Sequence, residues 1–439
     1  MRIRLQAANT RLRTVGWGLV LLVIGAPAVD GQSLANRINA VRNGRVHFTF
    51  AAREGVCGNG RSFISIGSDV HIGSYSTSDG RVSESCERGP VRVVLDRADG
   101  GVIDVNTYVG RVSEAAAGVA DAGTNLGAVR AAEAAQYLLG LAATVDGRPG
   151  RDAILPAVLA DSVDVTPQLV TIARDEARPR EIRRSAISWA GRQTDLGGAG
   201  ARVVDALVRI ARNENDNNAV RQQALRTLAR LDHGAGVPAL MDLARAGTDT
   251  WLTRESVEAL AHSGDPRARG YLRSIVERAD LPDEMLAIAI RGLGREFATP
   301  RDAELLRQVY PKLTSERTKQ SVITTVAELG GSENERWLLG VARDENERPT
   351  IRHHALRRAR SAGAPIEELV ALYDRTSDTR MKEMLISLYV ESGEKAAVDK
   401  LLAILRSEEN TALRRRAINQ LSRSDDPRVK AELQKIVDQ

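Results

Sequence analysis

One short motif constrains this chain more than any other feature. A basic residue is followed three positions later by a small or aliphatic residue, inside an amphipathic run, and the pattern recurs to the end of 439 residues. The small or aliphatic positions are Ala186, Ala224, Val257, Ala289, Val322, Ala355, Leu385 and Ala417. The basic positions are Arg183, Arg221, Arg254, Lys319, Arg352, Lys382 and Arg414, and Leu286 stands in the place before Ala289. Successive anchors lie 30 to 38 residues apart, mostly near 33. A period of that size marks stacked supersecondary units rather than one globular core.

Each period holds two apolar runs. The first resembles "VPALMDLARAG" or "ERWLLGVARDE"; the second carries the anchor, as in "VRQQALRTLARL". Apolar residues three and four apart predict two helices per unit. Junctions such as "HSGDPRA" supply a capping Asp265 followed by Pro266 at the first helical position, and Asp426–Pro427 repeats the device. One helical pair cannot bury its apolar face alone, so stacked copies share a continuous core. The expectation is a mainly α solenoid of about eight to nine helical hairpins. Residues 127–161 form a less regular opening pair, and Val429 to Val437 an unpaired closing helix.

The second-helix runs "VRQQALRTLARL" (220–231), "IRHHALRRAR" (351–360) and "LRRRAINQLSRS" (413–424) resemble HEAT repeats. The aromatic and Gly-Tyr signature of tetratricopeptide repeats, which are of similar length, is missing. The resemblance spans roughly residue 150 to the end. It implies an acid–base ladder between neighbouring repeats, with Asp344 and Arg352, or Glu409 and Arg414, as its members. It also implies a binding scaffold, although some HEAT-like arrays are lyases or accessory factors for cofactor attachment.

The N-terminal part does not repeat. Arg2, Arg4, Arg11 and Arg13 precede the uncharged run Val15–Ala28, which ends in Ala26-Pro27-Ala28. This is the layout of a secretory signal peptide over residues 1–28, with an uncleaved anchor as the alternative. The run is short for a membrane span, so no stable membrane insertion is expected after cleavage. The formal charge of +5 includes the four leader arginines, which leaves the mature chain near +1. That balance, with aromatics at only 3%, disfavours nucleic acid as a partner.

Residues 29–112 read as a small β-rich module. "RVHFTF" puts Val46, Phe48 and Phe50 on one face, and "PVRVVLD" and "GVIDVNTYVG" flank the hairpin turn "RADGG". Residues 113–126 read as a small-residue linker, and 127–439 as the array. The two cysteines, Cys57 and Cys86, are most simply a disulfide in an exported chain, worth about 3 kcal/mol by loop entropy. The rival is a metal site with His47 and His71, whose spacing fits no standard zinc pattern.

No phosphate-binding Gly-rich loop, nucleophile elbow or His-Glu-x-x-His motif is present. His353 and His354 are adjacent on a helix and so point about 100° apart, too divergent for one metal. Trp189 and Trp337 follow the apolar periodicity and read as core. Trp251, in a turn, reads as a partner anchor, and the candidate partner-binding set is Trp251, Arg254, Arg352, His353 and Arg357. The expected function is an exported, periplasmic or secreted, non-enzymatic scaffold for a protein or peptide, with no cofactor. The alternative is an enzyme or accessory factor, either a lyase-like HEAT protein or one with catalysis in the N-terminal module. Mass spectrometry of the exported protein should find cleavage near Ala28 and a Cys57–Cys86 bond; a free thiol pair would contradict the disulfide.

Overall fold

The computed structural model describes residues 33–67, 70–73, 77–78, 81–82, 86–110, 123–193, 200–247, 249–422, 428–431 and 434. The expected leader, the Asp426–Pro427 cap and most of the closing run after Val429 lie outside these residues. Val429 itself is buried against the core.

The chain begins with a short helix, α1 (Leu34–Asn39), whose first turn is capped by the Ser33 hydroxyl. Strand β1 (Gly44–Phe50) buries Val46, Phe48 and Phe50, the face expected from their alternation. Three short strands follow, β2 (Val56–Gly58), β3 (Ile64–Ile66) and β4 (Val70–Ile72), and they pair antiparallel in that order. A two-stranded ribbon, β5 (Thr77–Ser78) and β6 (Arg81–Val82), precedes the hairpin of β7 (Val91–Ala98) and β8 (Gly101–Val109). That hairpin turns at Asp99 and Gly100, both with positive φ (53° and 83°), as a tight β-turn between right-twisted strands requires.

The sheet has one strand that the sequence does not announce. Strand β9 (Thr124–Ala128) pairs parallel with β1 and completes the order β8–β7–β1–β9. It comes from the stretch that reads as linker and first turn of the array. Its residues are mostly exposed, so it has backbone pairing without an apolar signature. Cys57 on β2 and Cys86 form a disulfide, with Cα atoms 5.2 Å apart. Their sulfurs are therefore not metal ligands.

From Ala131 onward the described chain is helical. The opening is α2 (Ala131–Thr144), α3 (Gly147–Asp152) and α4 (Ile154–Val158), an irregular group rather than a hairpin. Eight hairpins follow: α5 (Thr166–Arg174) with α6 (Arg180–Arg192), α7 (Gly200–Arg212) with α8 (Asn218–Arg230), α9 (Val237–Ala246) with α10 (Thr250–Leu260), and α11 (Pro266–Glu277) with α12 (Asp283–Leu293). Then come α13 (Pro300–Val309) with α14 (Glu316–Leu329), α15 (Ser332–Arg343) with α16 (Pro349–Ser361), α17 (Ile366–Arg375) with α18 (Thr379–Ser392), and α19 (Lys395–Ser407) with α20 (Thr411–Leu421). Second helices stack on second helices and first on first. All eight anchors, from Ala186 to Ala417, are fully buried. The module and the array share one continuous apolar core, running from Leu34 to Val429.

At Arg183, Arg221 and Arg352 the basic residue three before the anchor is buried, and for a reason. Arg183 donates from Nε to the Ala173 carbonyl in the last turn of α5 (2.9 Å) and from both terminal nitrogens to Asp216 (2.7 and 2.5 Å). Arg221 bonds the Ala211 carbonyl (3.0 Å) and Asp249 (2.7 Å). Arg352 bonds the Ala342 carbonyl (3.2 Å) and faces Asp378 at 3.7 Å. Each of these arginines satisfies an orphan carbonyl at the C-terminus of its own first helix. Each also reaches forward to an acid at the start of the next repeat's second helix. Asp249 and Asp378 themselves cap those helices, accepting from the amides of Trp251 (2.8 Å) and Met381 (3.1 Å).

The ladder implied by the HEAT resemblance therefore exists, but with other partners. Arg352 pairs forward with Asp378 rather than back with Asp344, and Arg414 donates to the Glu408 carbonyl (2.9 Å) rather than to the Glu409 carboxylate. An acid in the intervening turn lies too close in sequence to bridge repeats; the acid one period on does so.

The repeat without a basic residue, around Ala289, moves the contact to the first helices. Arg269 and Arg273 of α11 clasp Asp302 of α13 at 2.7 and 2.8 Å, and Thr299 donates to the same carboxylate from its amide and hydroxyl (2.8 and 2.7 Å). Asp302 is fully buried. Burial opposes its ionisation, but the bonds from Arg273, Thr299 and Arg269 outweigh it and lower its pKa from 3.8 to about 2. A carboxylate held below its unfolded pKa stabilises the fold above about pH 4, and the contribution is lost as pH falls towards about 2. The shift corresponds to about 2 kcal/mol. Asp302→Ala should cost about 3–5 kcal/mol at pH 7, since it strands two arginines. Asp302→Asn should flatten the loss of stability between pH 4 and 2; urea unfolding followed by circular dichroism checks both.

Candidate functional site

The β2–β4 sheet of the module faces the exposed side of three consecutive second helices. Between them lies a cleft of about 810 Å³. Ile66, Gly67, Val70 and the segment Arg53–Glu54 form one wall; α6, α8 and α10 form the other. On each helix the lining positions follow from the anchor. Burial of Ala224 on α8 turns Gln222, Arg226 and Arg230, four residues apart, away from the core and into the cleft. Gly191 lets α6 approach α8 closely, since a Cβ there would sit 2.3 Å from the Thr227 methyl.

Backbone and side chains fix the module over the helices. The Arg53 amide donates to the Leu159 carbonyl (2.9 Å), and Ala52 forms an isolated bridge with Ala160. The Leu34 amide donates to Glu133 at the start of α2 (2.5 Å). Within the cleft, Arg53 Nη1 donates to Gln193 Oε1 at 3.1 Å. Gln193 is 3% exposed, and its amide nitrogen has no partner. Burial lowers the pKa of Arg53 below the ordinary guanidinium value.

The cleft's acids are unevenly engaged. Glu255 accepts from Gln222 (2.7 Å), and Glu258 accepts from Arg295 (2.7 Å), which also contacts His262. Arg192 lies over the Trp189 ring, 5.3 Å from its centroid. Arg226 and Arg230 are exposed and meet no carboxylate within salt-bridge distance among the described residues. Glu54 and Asp232 sit exposed in the lining. A smaller hollow of about 340 Å³ adjoins this cleft, between His71 on β4 and Ser185, Trp189 and Arg192 on α6.

The same helix face carries a further hollow of about 440 Å³, where Arg291, Arg317, Thr324 and His354 meet across α12, α14 and α16. His354 bonds the Thr324 hydroxyl at 2.9 Å. Burial lowers its pKa, helped by Arg358 and Arg357, so it is neutral near pH 7. Among the described residues no group of three or more His, Cys, Asp or Glu side chains is placed to hold a metal, and no helix is long and apolar enough to cross a membrane.

The partner-binding residues expected from sequence do not form one patch. Arg352 is buried in the ladder, and His353 bonds Asp378 at 2.9 Å. His353 and His354 diverge to opposite neighbouring repeats, as their helical positions require. Arg357 is exposed on α16. Trp251 is half-buried beneath Arg221, whose guanidinium carbon is 4.2 Å from the ring centroid, so the ladder already occupies one ring face. Arg254 pairs with Glu255 (3.2 Å) and Glu284 (3.5 Å). Trp337 packs edge-on against Tyr310 beside the core, whereas Trp189 is half-buried and its ring lines the cleft. The residues that sequence reasoning missed, Arg53, Gln193, Arg226 and Arg230, meet through a module–array contact that no periodicity encodes. The one available signal was the polar i, i+4, i+8 stripe on α8.

Residues 166–261 and 204–294 match the family profile of HEAT repeats, which covers the helices flooring the cleft. The chain carries HEAT repeats. The hairpins beyond α12 continue the same stacking of second helix on second helix to α20. No curated protein matches the chain. Among solved structures, the HEAT array is similar to human deoxyhypusine hydroxylase in complex with glycerol (20% identity, 54% of this chain and 92% of that chain, TM-score 0.27). It is also similar to the CpcE–CpcF complex of phycocyanin lyase from Nostoc sp. PCC7120 (16% identity, 62% and 95%, TM-score 0.28). A third similarity is to a structure of the cadherin and beta-catenin interaction (16% identity, 69% and 62%, TM-score 0.25). Likenesses at this level carry nothing about activity or partner.

Proposed function

We propose that this HEAT-repeat chain is an exported, non-enzymatic scaffold that binds a protein or peptide along the exposed face of its second helices. The observation that carries the reading is the cleft of about 810 Å³ between the β2–β4 sheet and α6, α8 and α10. The first helices bury their apolar stripe and turn charged residues such as Asp205 and Asp242 outward. The second helices instead offer hollows at two places, with half-buried polar and aromatic groups around them. A cleft of this size is in the range that encloses an organic ligand or a short peptide. Export rests on the leader pattern over residues 1–28, and the Cys57–Cys86 bond is compatible with an oxidising compartment.

A photo-crosslinker at Arg226 or Gln320 on second helices, and at Asp205 or Asp242 on first helices, tests this in the producing cell. Discrete adducts of one partner from the second-helix positions alone are the expected result. Adducts from the first-helix positions alone would move the binding face. No adduct from any position, with turnover of a small molecule by the purified chain, would replace the scaffold reading with an enzymatic one.

A further inference from the structure

The cleft carries arginines without a carboxylate partner among the described residues, and one buried donor, the Gln193 amide, lies at its back. Arg53 is the clearest case. Its guanidinium is half-buried in the module's wall of the cleft, and its one side-chain partner among the described residues is a neutral amide oxygen, that of Gln193. A desolvated cation needs a counter-charge to recover its lost hydration. Beside it, Gln193 is almost fully buried with its NH₂ group unpaired. An orphaned buried donor costs about 1–3 kcal/mol unless something accepts from it. Arg226 and Arg230, one helical turn apart on α8, add two guanidinium groups with no carboxylate partner among the described residues. Glu255 and Glu258 are paired with Arg254 and Arg295 from outside the lining, which leaves Glu54 and Asp232 to face Arg53, Arg192, Arg226 and Arg230.

We infer that this cleft is a receptor for an extended, carboxylate-rich peptide segment, held by Arg226 and Arg230, with one carboxylate reaching Arg53 and Gln193 at the back. The inference rests on the partner-binding reading above and specifies its chemistry. Guanidinium groups bind carboxylates through paired N–H bonds. The donors are spread over α6, α8 and the module rather than gathered at one point, and the volume far exceeds that of an inorganic anion. A chain bearing several acidic side chains fits this arrangement. The Trp189 ring, with Arg192 over it, offers an apolar wall at the adjoining hollow.

The full chain is titrated, by fluorescence anisotropy, into a fluorescein-labelled peptide of alternating Glu and Gly, and into its Gln–Gly counterpart. Saturable binding of the Glu peptide, weakening as salt rises, is expected, with the Gln peptide at least about tenfold weaker. Arg226→Gln with Arg230→Gln should weaken the Glu peptide by about tenfold or more, because both positions are exposed and the fold does not depend on them. Arg226→Glu with Arg230→Glu should exchange the preference for a Lys–Gly peptide. Arg357→Gln, far along the array, should change nothing. Equal affinity for the Glu and Gln peptides, or unchanged binding by the double variants, would overturn the inference. So would displacement of the Glu peptide by equimolar inorganic phosphate, which would mark a small-anion site instead. Crosslinks from Arg226 to a partner, with no Glu-peptide binding, would leave the scaffold standing and remove only its acidic ligand.

Discussion

The structure depends on a buried cation that joins three helices at once. Arg183 holds the end of α5 through the Ala173 carbonyl while both of its terminal nitrogens grip Asp216 at the entrance to α8. Neither half of the contact is separable from the other. The carbonyl is an unsatisfied helix terminus, and the acid lies beside the N-cap residue of the next repeat's second helix. A buried ion pair is often no better than an apolar one for stability, yet it is far more directional. Directionality suits a solenoid, in which every repeat meets only its neighbours and a slip at one junction would be carried to all that follow. At the one repeat where the basic residue is absent, Asp302 appears on the other layer with two arginines and a capping threonine around it. The contact has moved, and the constraint has been kept.

The fold was legible where burial is periodic. The eight anchors mark buried faces because a helix must return its apolar residues every three or four positions, and stacked hairpins reuse the same positions. The Asp265–Pro266 start of α11 was equally plain, since the Asp265 side chain accepts the Arg267 amide at 2.7 Å. What local pattern could not supply was pairing. The acid facing Arg352 lies 26 residues on, at Asp378, and nothing nearby distinguishes it from Asp344. Strand β9 was hidden for a related reason: Thr124–Ala128 pairs through backbone groups, with side chains that remain largely in water.

The binding residues suggested by sequence were conspicuous ones, a tryptophan in a turn and arginines in clusters. Several of them prove to be occupied. Arg221 covers Trp251, and Arg352 is enclosed by Ala342 and Asp378. A solenoid spends its most visible charges on joining its own repeats. The residues that remain available are those facing the module, such as Gln193 and Arg226, and their environment is set by a segment more than a hundred residues away in sequence. Composition alone cannot report such an environment.

Strand β9 has a further consequence. After β8 the chain lays β9 along β1 in parallel, and only then enters the helices. The apparent border between β-rich and helical sequence is therefore not a place where the protein comes apart. Cutting there would strip β1 of a neighbour and leave an unpaired edge, the kind of surface on which strands from other molecules assemble. Module and array are thus tied by one sheet and one core, and a partner meets them as a single surface.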